Sequence, residues 1–504
     1  MSRFKVDSRL ILKKRGDKSS AMKQTVNLQR WNFDASMRII PILLLVLSKI
    51  LTWLAFPSAS LHPDSSSYST GSSWNFSLVS FTGHSGRPWP VTFFFALFPD
   101  DSLRILAQLI LSTAVWVFLM LTISKLGLAR KSQFALSCFI SAIGASPLVT
   151  QWDTTILGTS LMISNSVLIV ALVIRMLYIK KFQRLNFILL ISVIHFFYLQ
   201  KFSNLPFVLI LVTVVFYWTW STTSKKLRVG AVVATIIVFA WGTVMGININ
   251  NSWEKSYSGS TLLWQLGSQS PTSLEFRTFL SKKADVPRCI YLEAPYRSIN
   301  ESIAKISNSC PESSEYLRGR FQKDFIEFVV KSPQSVTKLI SIGVGASFSS
   351  SSSHYGSSVS LFPSVATALI TGELSPDLRF SSVESQEEAY LELSKGEPKW
   401  LHLPIIGFVC IALLLLILRL RNQAKKKDIV VGIFFILTNL IQLGVNFVLL
   451  PSEWVRQGAP FVISLLGFSV ISIVISFSAP QSNFSEPFLV GKTRKRNPLE
   501  PNSL

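Results

Sequence analysis

Ten apolar segments divide this sequence between residues 39 and 478. A helix that crosses the hydrocarbon core of a bilayer needs roughly 20 apolar residues. Within lipid, a helix also satisfies all of its backbone hydrogen bonds internally. We therefore predict an all-α polytopic membrane protein with about ten transmembrane helices, at Ile39–Pro57, Ser102–Ile123, Ser132–Thr150, Ile156–Ile179, Leu185–Leu199, Leu205–Trp220, Val229–Ile247, Leu403–Leu420, Ile429–Leu450 and Pro460–Ser478.

The composition agrees with a membrane protein and argues against a soluble one. Apolar residues make up 49% of the chain and charged residues only 15%, too few charges to cover the surface of a soluble protein of this size. The formal net charge of +22 is of the kind that nucleic-acid-binding proteins carry. The basic residues, however, lie in short clusters between apolar segments, where loops that face anionic lipid carry them. We therefore expect no nucleic-acid partner.

The basic clusters also predict the orientation of the helices. Every second connection is basic, and cytoplasmic loops carry an excess of Lys and Arg. Both termini are thus expected in the cytoplasm, and the protein in a plasma (inner) membrane. The clusters include Lys13 and Lys14, Lys125 and Arg130, Arg175 and Arg184, Lys225 and Arg228, Arg421 and Lys427, and Lys492 and Arg496.

This orientation divides the chain into five parts and places two long segments outside. The second of these segments is expected to be a loop domain of mixed structure. It contains a predicted amphipathic helix at 313–331 and two cysteines, Cys289 and Cys310, which are either a disulfide or two free thiols. The parts are a basic cytoplasmic arm (1–37), a seven-helix module (38–247) with an external loop (58–101), the loop domain (248–402), three helices (403–479) and a basic tail (480–504).

The first external loop carries the most informative residues. His62-Pro63-Asp64 follows the first predicted helix, Tyr68 comes soon after, and Gly83-His84-Ser85-Gly86-Arg87-Pro88 precedes a short apolar run, Pro90–Phe98, expected in the membrane interface. An acid after the first helix, a Tyr and a Gly-x-x-x-Arg-Pro stretch resemble the first external loop of the GT-C glycosyltransferases. These polytopic enzymes use sugars carried on polyprenyl phosphate. A seven-helix module followed by a large external insertion also resembles that superfamily.

Shorter likenesses to this superfamily occur later in the chain. Lys201 lies at an outer turn where relatives often carry Arg, and Arg456 follows Ser452-Glu453-Trp454 before the last helix. The stretch from Phe325 to Pro333 resembles a helix that ends in a Pro ahead of the membrane. Many relatives have a Ser-Glu pair at the start of the fourth helix. This chain has Leu157-Gly158-Thr159-Ser160 instead, which leaves Asp153 as the candidate second acid.

The resemblance implies transfer of a sugar from a polyprenyl-phosphate donor to a glycan, lipid or protein acceptor on the outer face. Asp64 would be the base and Asp153 a second catalytic acid. Cations would hold the phosphate as negative charge develops on it, and polar side chains would contact the sugar. The phosphate-binding candidates are Arg87, Lys201 and Arg456, and the substrate-binding candidates are His62, Tyr68 and His84.

Other interpretations of the same residues remain open. Asp153 is also placed to cap the fourth helix, and Arg87 and Arg456 to anchor at the interface. His62, His84 and Asp64 could hold a divalent metal ion, although their spacing is not that of a known site. The alternative functions are a transporter or flippase, a polymerase or ligase of polyprenyl-linked glycans, and an assembly protein. Lys49, inside the first predicted helix, is expected either to pair with a partner in the bundle or to lie near a cavity. His195, inside the fifth, is expected to be a hydrogen-bonded structural histidine rather than a proton relay.

Overall fold

The computed structural model describes nine ranges of the chain, and the elements within them are helices. The residues in these ranges form no β-strand. The second external segment was expected to have mixed structure, but its described residues are helical, because their apolar residues recur at helical spacing. The ranges are 38–54, 88–179, 183–220, 223–256, 273–292, 310–347, 403–420, 426–449 and 454–477.

The described residues contain seventeen α-helices and a 3₁₀ turn at Phe202–Asn204. In chain order they are α1 (38–54), α2 (Trp89–Ala96), α3 (Asp101–Ile123), α4 (Arg130–Ala145), α5 (Pro147–Asp153), α6 (Gly158–Tyr178), α7 (Gln183–Gln200), α8 (Leu205–Thr219), α9 (Lys225–Ser256), α10 (Ser273–Ser281), α11 (Arg288–Leu292), α12 (Glu312–Gly319), α13 (Phe321–Lys331), α14 (Pro333–Ser347), α15 (Leu403–Leu420), α16 (Lys426–Leu449) and α17 (Trp454–Phe477).

Each of the ten predicted spans contains helix in the structure, but not all of them meet the requirements for crossing a membrane. Within the described ranges, six helices are long and apolar enough, and Ile406–Leu418 is a shorter apolar stretch. The chain is therefore an integral membrane protein by its helices, and the count of ten remains a prediction. The six are Asp101–Ile123, Gly158–Tyr178, Phe202–Thr219, Lys225–Ile247, Asp428–Asn446 and Gly458–Phe477.

The predicted third span, Ser132–Thr150, is two helices rather than one. Helix α4 ends at Ala145, and α5 begins at Pro147. Proline has no backbone N–H and disfavours helical geometry in the residue before it. Ser146 accordingly has an extended backbone, with φ −72° and ψ 158°. The break turns α5 into a separate short helix that ends at Asp153.

Helix α6 lies at the centre of the bundle, and α9 lies at its edge. In the apolar part of α6, 83% of residues are buried, against 17% in α9. Helix α6 packs against α3, α7 and α17, whereas α9 contacts mainly α7. This agrees with the sequence of α6, which is apolar on nearly all sides and so suits a position surrounded by other helices.

Helix α9 is attached to α7 by a close approach at Gly242. The aromatic ring of Tyr198 lies over this glycine. About two turns earlier in α9, Thr235 Oγ1 lies 3.0 Å from Nε2 of His195 in α7. A methyl group at position 242 would lie 2.8 Å from the Tyr198 hydroxyl oxygen. Tyr198 is itself buried at 2% exposure and has little room to move.

We expect Gly242→Ala to weaken the attachment of α9. Overpacking of this kind costs about 1–3 kcal/mol, which should lower the apparent melting temperature of the detergent-solubilised protein. Gly230→Ala is the matched control on the same helix, because a methyl group there meets nothing within 4 Å. Equal melting temperatures for the two variants would contradict the packing described here.

The helices between residues 273 and 331 form a separate small core, which we call the stapled unit. Helices α10 to α13 pack around Phe276 and Phe321. Cys289 and Cys310 are joined in a disulfide, with their Cα atoms 6.2 Å apart. The predicted amphipathic helix 313–331 is interrupted at Arg320, which separates α12 from α13.

Helix α14 connects the stapled unit to the membrane bundle and was not predicted. It begins at Pro333, directly after Ser332, and packs against α16 and α17, with Leu339 in the main core. Its apolar residues at Val336, Leu339 and Ile340 have helical spacing, but the segment is too short and polar to count as a span.

Candidate functional site

A buried ion pair joins two distant parts of the bundle. Lys49 Nζ lies 2.6 Å from Asp153 Oδ2, and the two side chains are 3% and 0% exposed. The other carboxylate oxygen of Asp153 accepts a hydrogen bond of 2.6 Å from Ser160 Oγ. Both oxygens of the carboxylate are thus engaged, one by α1 and one by α6.

The backbone around Asp153 is held by a third helix. Gln108 of α3 donates through Nε2 to the carbonyl oxygens of Asp153 and Thr155, at 3.3 and 3.1 Å. These carbonyls lie at or just after the end of α5, where backbone carbonyl oxygens have no N–H partner within the helix. Asp153 does not cap α6, because the residue at that N-cap position is Leu157 and no side chain bonds there.

The turn that follows Asp153 is covered by the short helix α2. Val91 and Phe95 pack with Ile156 and Leu161 in a small cluster of their own. A Cβ atom at Gly158 would lie 3.3 Å from the Val91 side chain, a close contact that shows how tightly α2 lies on this turn. Helix α2 also approaches α7. Val91 is about one helical turn from Pro88, so α2 lies in the later part of the predicted first external loop (58–101).

The start of α3 fixes the C-terminal end of α2. Asp100 caps α3 by accepting from the Leu103 backbone N–H at 2.8 Å. Arg104 pairs with Asp101 at 2.6 Å and donates through Nε to the Phe95 carbonyl at 3.1 Å. The two aspartates therefore begin α3, and Arg104 closes the short connection from α2.

Lys201 lies in a tight turn at the end of α7, and helix α16 holds this turn. Gln442 of α16 donates through Nε2 to the Ser203 carbonyl at 2.9 Å and accepts from the Phe207 backbone N–H at 3.1 Å. The turn is closed by a bond of 3.1 Å from the Asn204 N–H to the Lys201 carbonyl. We call the part of the bundle that contains Asp153, the start of α6 and the end of α7 the Asp153 end.

Only part of the predicted site can be located. Asp153 and Lys201 lie at the Asp153 end, and Arg456 lies in the first turn of α17. The remaining candidates fall outside the described residues, namely His62, Asp64, Tyr68, His84 and Arg87. The described residues contain no group of three or more His, Cys, Asp or Glu side chains placed to hold a metal ion.

The stapled unit carries a second charged network. Asp324, which is buried, accepts from Tyr316 Oη at 2.8 Å and from Lys283 Nζ. Hydrogen bonds from Lys283, and secondly from Lys331, lower the pKa of Glu327 to about 2. Burial, and then the bond to Asp324, raises the pKa of Tyr316 above its usual value. These bonds join the connection between α10 and α11, which contains Lys283, to α12 and α13, and are explained by the fold of the unit.

Several residues that build the Asp153 end were not singled out from the sequence. Lys49 was expected to have a partner in the bundle, but Asp153 was not recognised as that partner, since 104 positions separate them. Three glutamines of this region lie within apolar segments, namely Gln108, Gln200 and Gln442. A polar amide in an apolar segment needs a hydrogen-bonding partner, and this was the feature of the sequence that could have identified them.

The chain matches no protein-family model, no curated protein and no solved structure.

Proposed function

We propose that the protein is an integral membrane glycosyltransferase that moves a sugar from a polyprenyl-phosphate donor to a glycan, lipid or protein acceptor. The observation that carries the proposal is the packing of α2 on the turn after Asp153. Helix α2 begins directly after Arg87-Pro88, so this packing brings the end of the first external loop to the same end of the bundle as the turn that contains Lys201.

The proposed reaction needs a base, cations and access from lipid. The acceptor hydroxyl oxygen bonds to the anomeric carbon, the bond from that carbon to the phosphate oxygen breaks, and polyprenyl phosphate leaves. Asp64 takes the hydroxyl proton. Arg87, Lys201 and Arg456 stabilise the phosphate. His62, Tyr68 and His84 contact the substrate. The short helix α2 suits the boundary between lipid and water, because Phe93 and the adjoining Leu97 are exposed.

Asp153 has a different role in this proposal from the one expected. Both oxygens of its carboxylate are already engaged, one by Lys49 and one by Ser160. A base must reach the proton that it removes. We therefore assign Asp153 to positioning the turn under α2, and Asp64 alone to proton transfer.

A transporter of the same lipid-linked sugar is the second candidate. The Lys49–Asp153 pair favours it, because ionisable residues within membrane bundles often lie on transport pathways. A transporter moves the lipid across the bilayer without breaking the bond between sugar and phosphate.

The experiment that separates these functions is transfer by the purified full-length chain in liposomes. Radiolabelled polyprenyl-phosphoryl mannose, galactose and arabinose would be offered with a cell-envelope acceptor extract. The proposal expects protein-dependent release of polyprenyl phosphate and a labelled glycan from one donor. Movement of the intact lipid between leaflets, with no release of polyprenyl phosphate, would support the transporter and overturn the transferase.

The orientation of the Asp153 end has its own test. In a Cys138→Ser, Cys410→Ser background, we expect Lys323→Cys in the stapled unit to react with a membrane-impermeant maleimide on intact cells. Lys225→Cys, at the start of α9, should react only after permeabilisation. Both positions are exposed in the structure. The reverse pattern would place the basic connections outside and contradict both the topology and the proposed donor side.

A further inference from the structure

The turn after α7 contains buried amide groups whose hydrogen-bonding atoms have no partner among the described residues. Gln200 and Asn204 are 3% and 0% exposed. Both the oxygen and the nitrogen of each side-chain amide are unpaired within the described ranges, as is Ser203 Oγ. Buried polar groups in proteins are nearly always hydrogen-bonded, so five such atoms within five consecutive residues require an explanation.

This turn is held in place independently of its own side chains. Gln442 bonds to the Ser203 carbonyl and to the Phe207 N–H, and Phe202 packs edge-on against Tyr198 with ring centroids 5.7 Å apart. The backbone is therefore fixed from α16 and α7, while the amides of Gln200 and Asn204 take no part in that support. A rigid backbone with unpaired polar side chains is the arrangement of a preorganised binding site.

We propose that Gln200, Ser203 and Asn204 bind the hydroxyl groups of the donor sugar. A side-chain amide presents an acceptor and a donor side by side. Neighbouring sugar hydroxyls present the complementary pair, because one donates its hydrogen while the other accepts. Two amides and one hydroxyl supply both kinds of group and no charge, which suits a neutral polyol. Lys201, in the same turn, adds a cation beside it.

This inference rests on the proposed function and adds residues that determine which sugar is recognised. A site that bonds to substrate hydroxyls rejects ligands that lack them, because its buried groups are then left unpaired. Recognition of the sugar is thus separated from recognition of the phosphate, which depends on the cations.

The test compares a lipid phosphate with and without its sugar. Dissociation constants of farnesyl phosphate and of farnesyl-phosphoryl mannose, galactose and arabinose would be measured by native mass spectrometry on the full-length chain. For the wild type we expect at least one sugar form to bind about tenfold more tightly than farnesyl phosphate, as a few hydrogen bonds to the sugar allow. In Gln200→Leu and Asn204→Leu this ratio should fall towards one, with little change for farnesyl phosphate.

Two controls keep the test decisive. Asn439→Leu also removes a buried amide whose oxygen is unpaired among the described residues, but Asn439 lies in α16 and is not part of the turn, so this variant should keep the wild-type ratio. The Leu variants should fold, because they remove unpaired buried polar groups, and their ligand-free melting temperatures should equal or exceed that of the wild type. If either variant fails to fold, the near-isosteric Gln200→Glu and Asn204→Asp replace it, and each should lower the ratio.

The outcomes distinguish this inference from the proposed function. If the wild type prefers a sugar form and the turn variants keep that preference, the amides hold only water, and the inference is overturned while the transferase proposal stands. A wild-type ratio of one for all three sugars also overturns the inference. The transferase proposal is then decided by the release of polyprenyl phosphate in liposomes.

Discussion

Lys49→Met is expected to destabilise the protein severely. The substitution leaves the Asp153 carboxylate, at 0% exposure, without its cation and, among the described residues, with Ser160 as its remaining side-chain partner. Removing one member of a buried ion pair typically costs about 3–5 kcal/mol, because the remaining charge stays buried without compensation. Thermal unfolding of the solubilised protein, followed by tryptophan fluorescence, should show a large fall in apparent melting temperature.

The double variant Lys49→Met, Asp153→Leu should recover much of that loss. With both charges removed, neither partner is left uncompensated, and well-packed apolar replacements of buried ion pairs are often close to neutral. Lys338→Met is the matched control, because its pair with Glu275 spans 3.3 Å with both side chains almost half exposed. Exposed pairs contribute at most about 1 kcal/mol. If the double variant is as unstable as the sum of its single changes, the pair does not act as a unit.

Asp64→Asn is expected to abolish sugar transfer while leaving the protein folded. The amide is nearly the same size as the carboxylate but cannot accept the acceptor's proton. Loss of a general base typically lowers the rate by about 10²–10⁴-fold. The measurement is the initial rate of polyprenyl phosphate release in liposomes, together with binding of the donor, which should be retained.

The control for this variant is Asp101→Asn, the same chemical change near the end of the same predicted external segment. Asp101 is 39% exposed and pairs with Arg104 three residues later, so its loss should change the rate little. Transfer by Asp64→Asn at the wild-type rate would remove Asp64 from the mechanism and leave the proposed reaction without a base.

Hydropathy predicted the helices well where a helix is uniformly apolar. Leu403–Leu420 has the predicted bounds in the structure, and Gly158–Tyr178 differs from its prediction by two residues at one end and one at the other. The composition of an apolar segment largely decides whether it forms a buried helix, so such a helix can be predicted from that segment alone. The break at Ser146 was missed because Pro147 lies within an otherwise continuous apolar run.

The contacts of the site depend on tertiary structure and were harder to predict. Lys49 and Asp153 are each conspicuous in sequence, but no periodicity relates two residues of different helices. The same holds for Gln442, which reaches a turn more than two hundred positions earlier. The sequence predicted that Asp153 and Lys201 share one end of the bundle, through the alternation of basic connections. It did not predict that one of them is held in an ion pair.

The central claim is that a lipid-linked sugar reacts at the Asp153 end, and photo-crosslinking tests it most directly. A polyprenyl-phosphoryl sugar with a benzophenone on the second isoprene unit would be irradiated with the full-length chain in liposomes, and the crosslinked peptides mapped. We expect labelling of α2, of residues 153–161 and of residues 200–204, reduced by excess unlabelled sugar lipid. Competed labelling confined to residues 123–131, 175–184 and 223–228, at the opposite end of the bundle, would contradict the account.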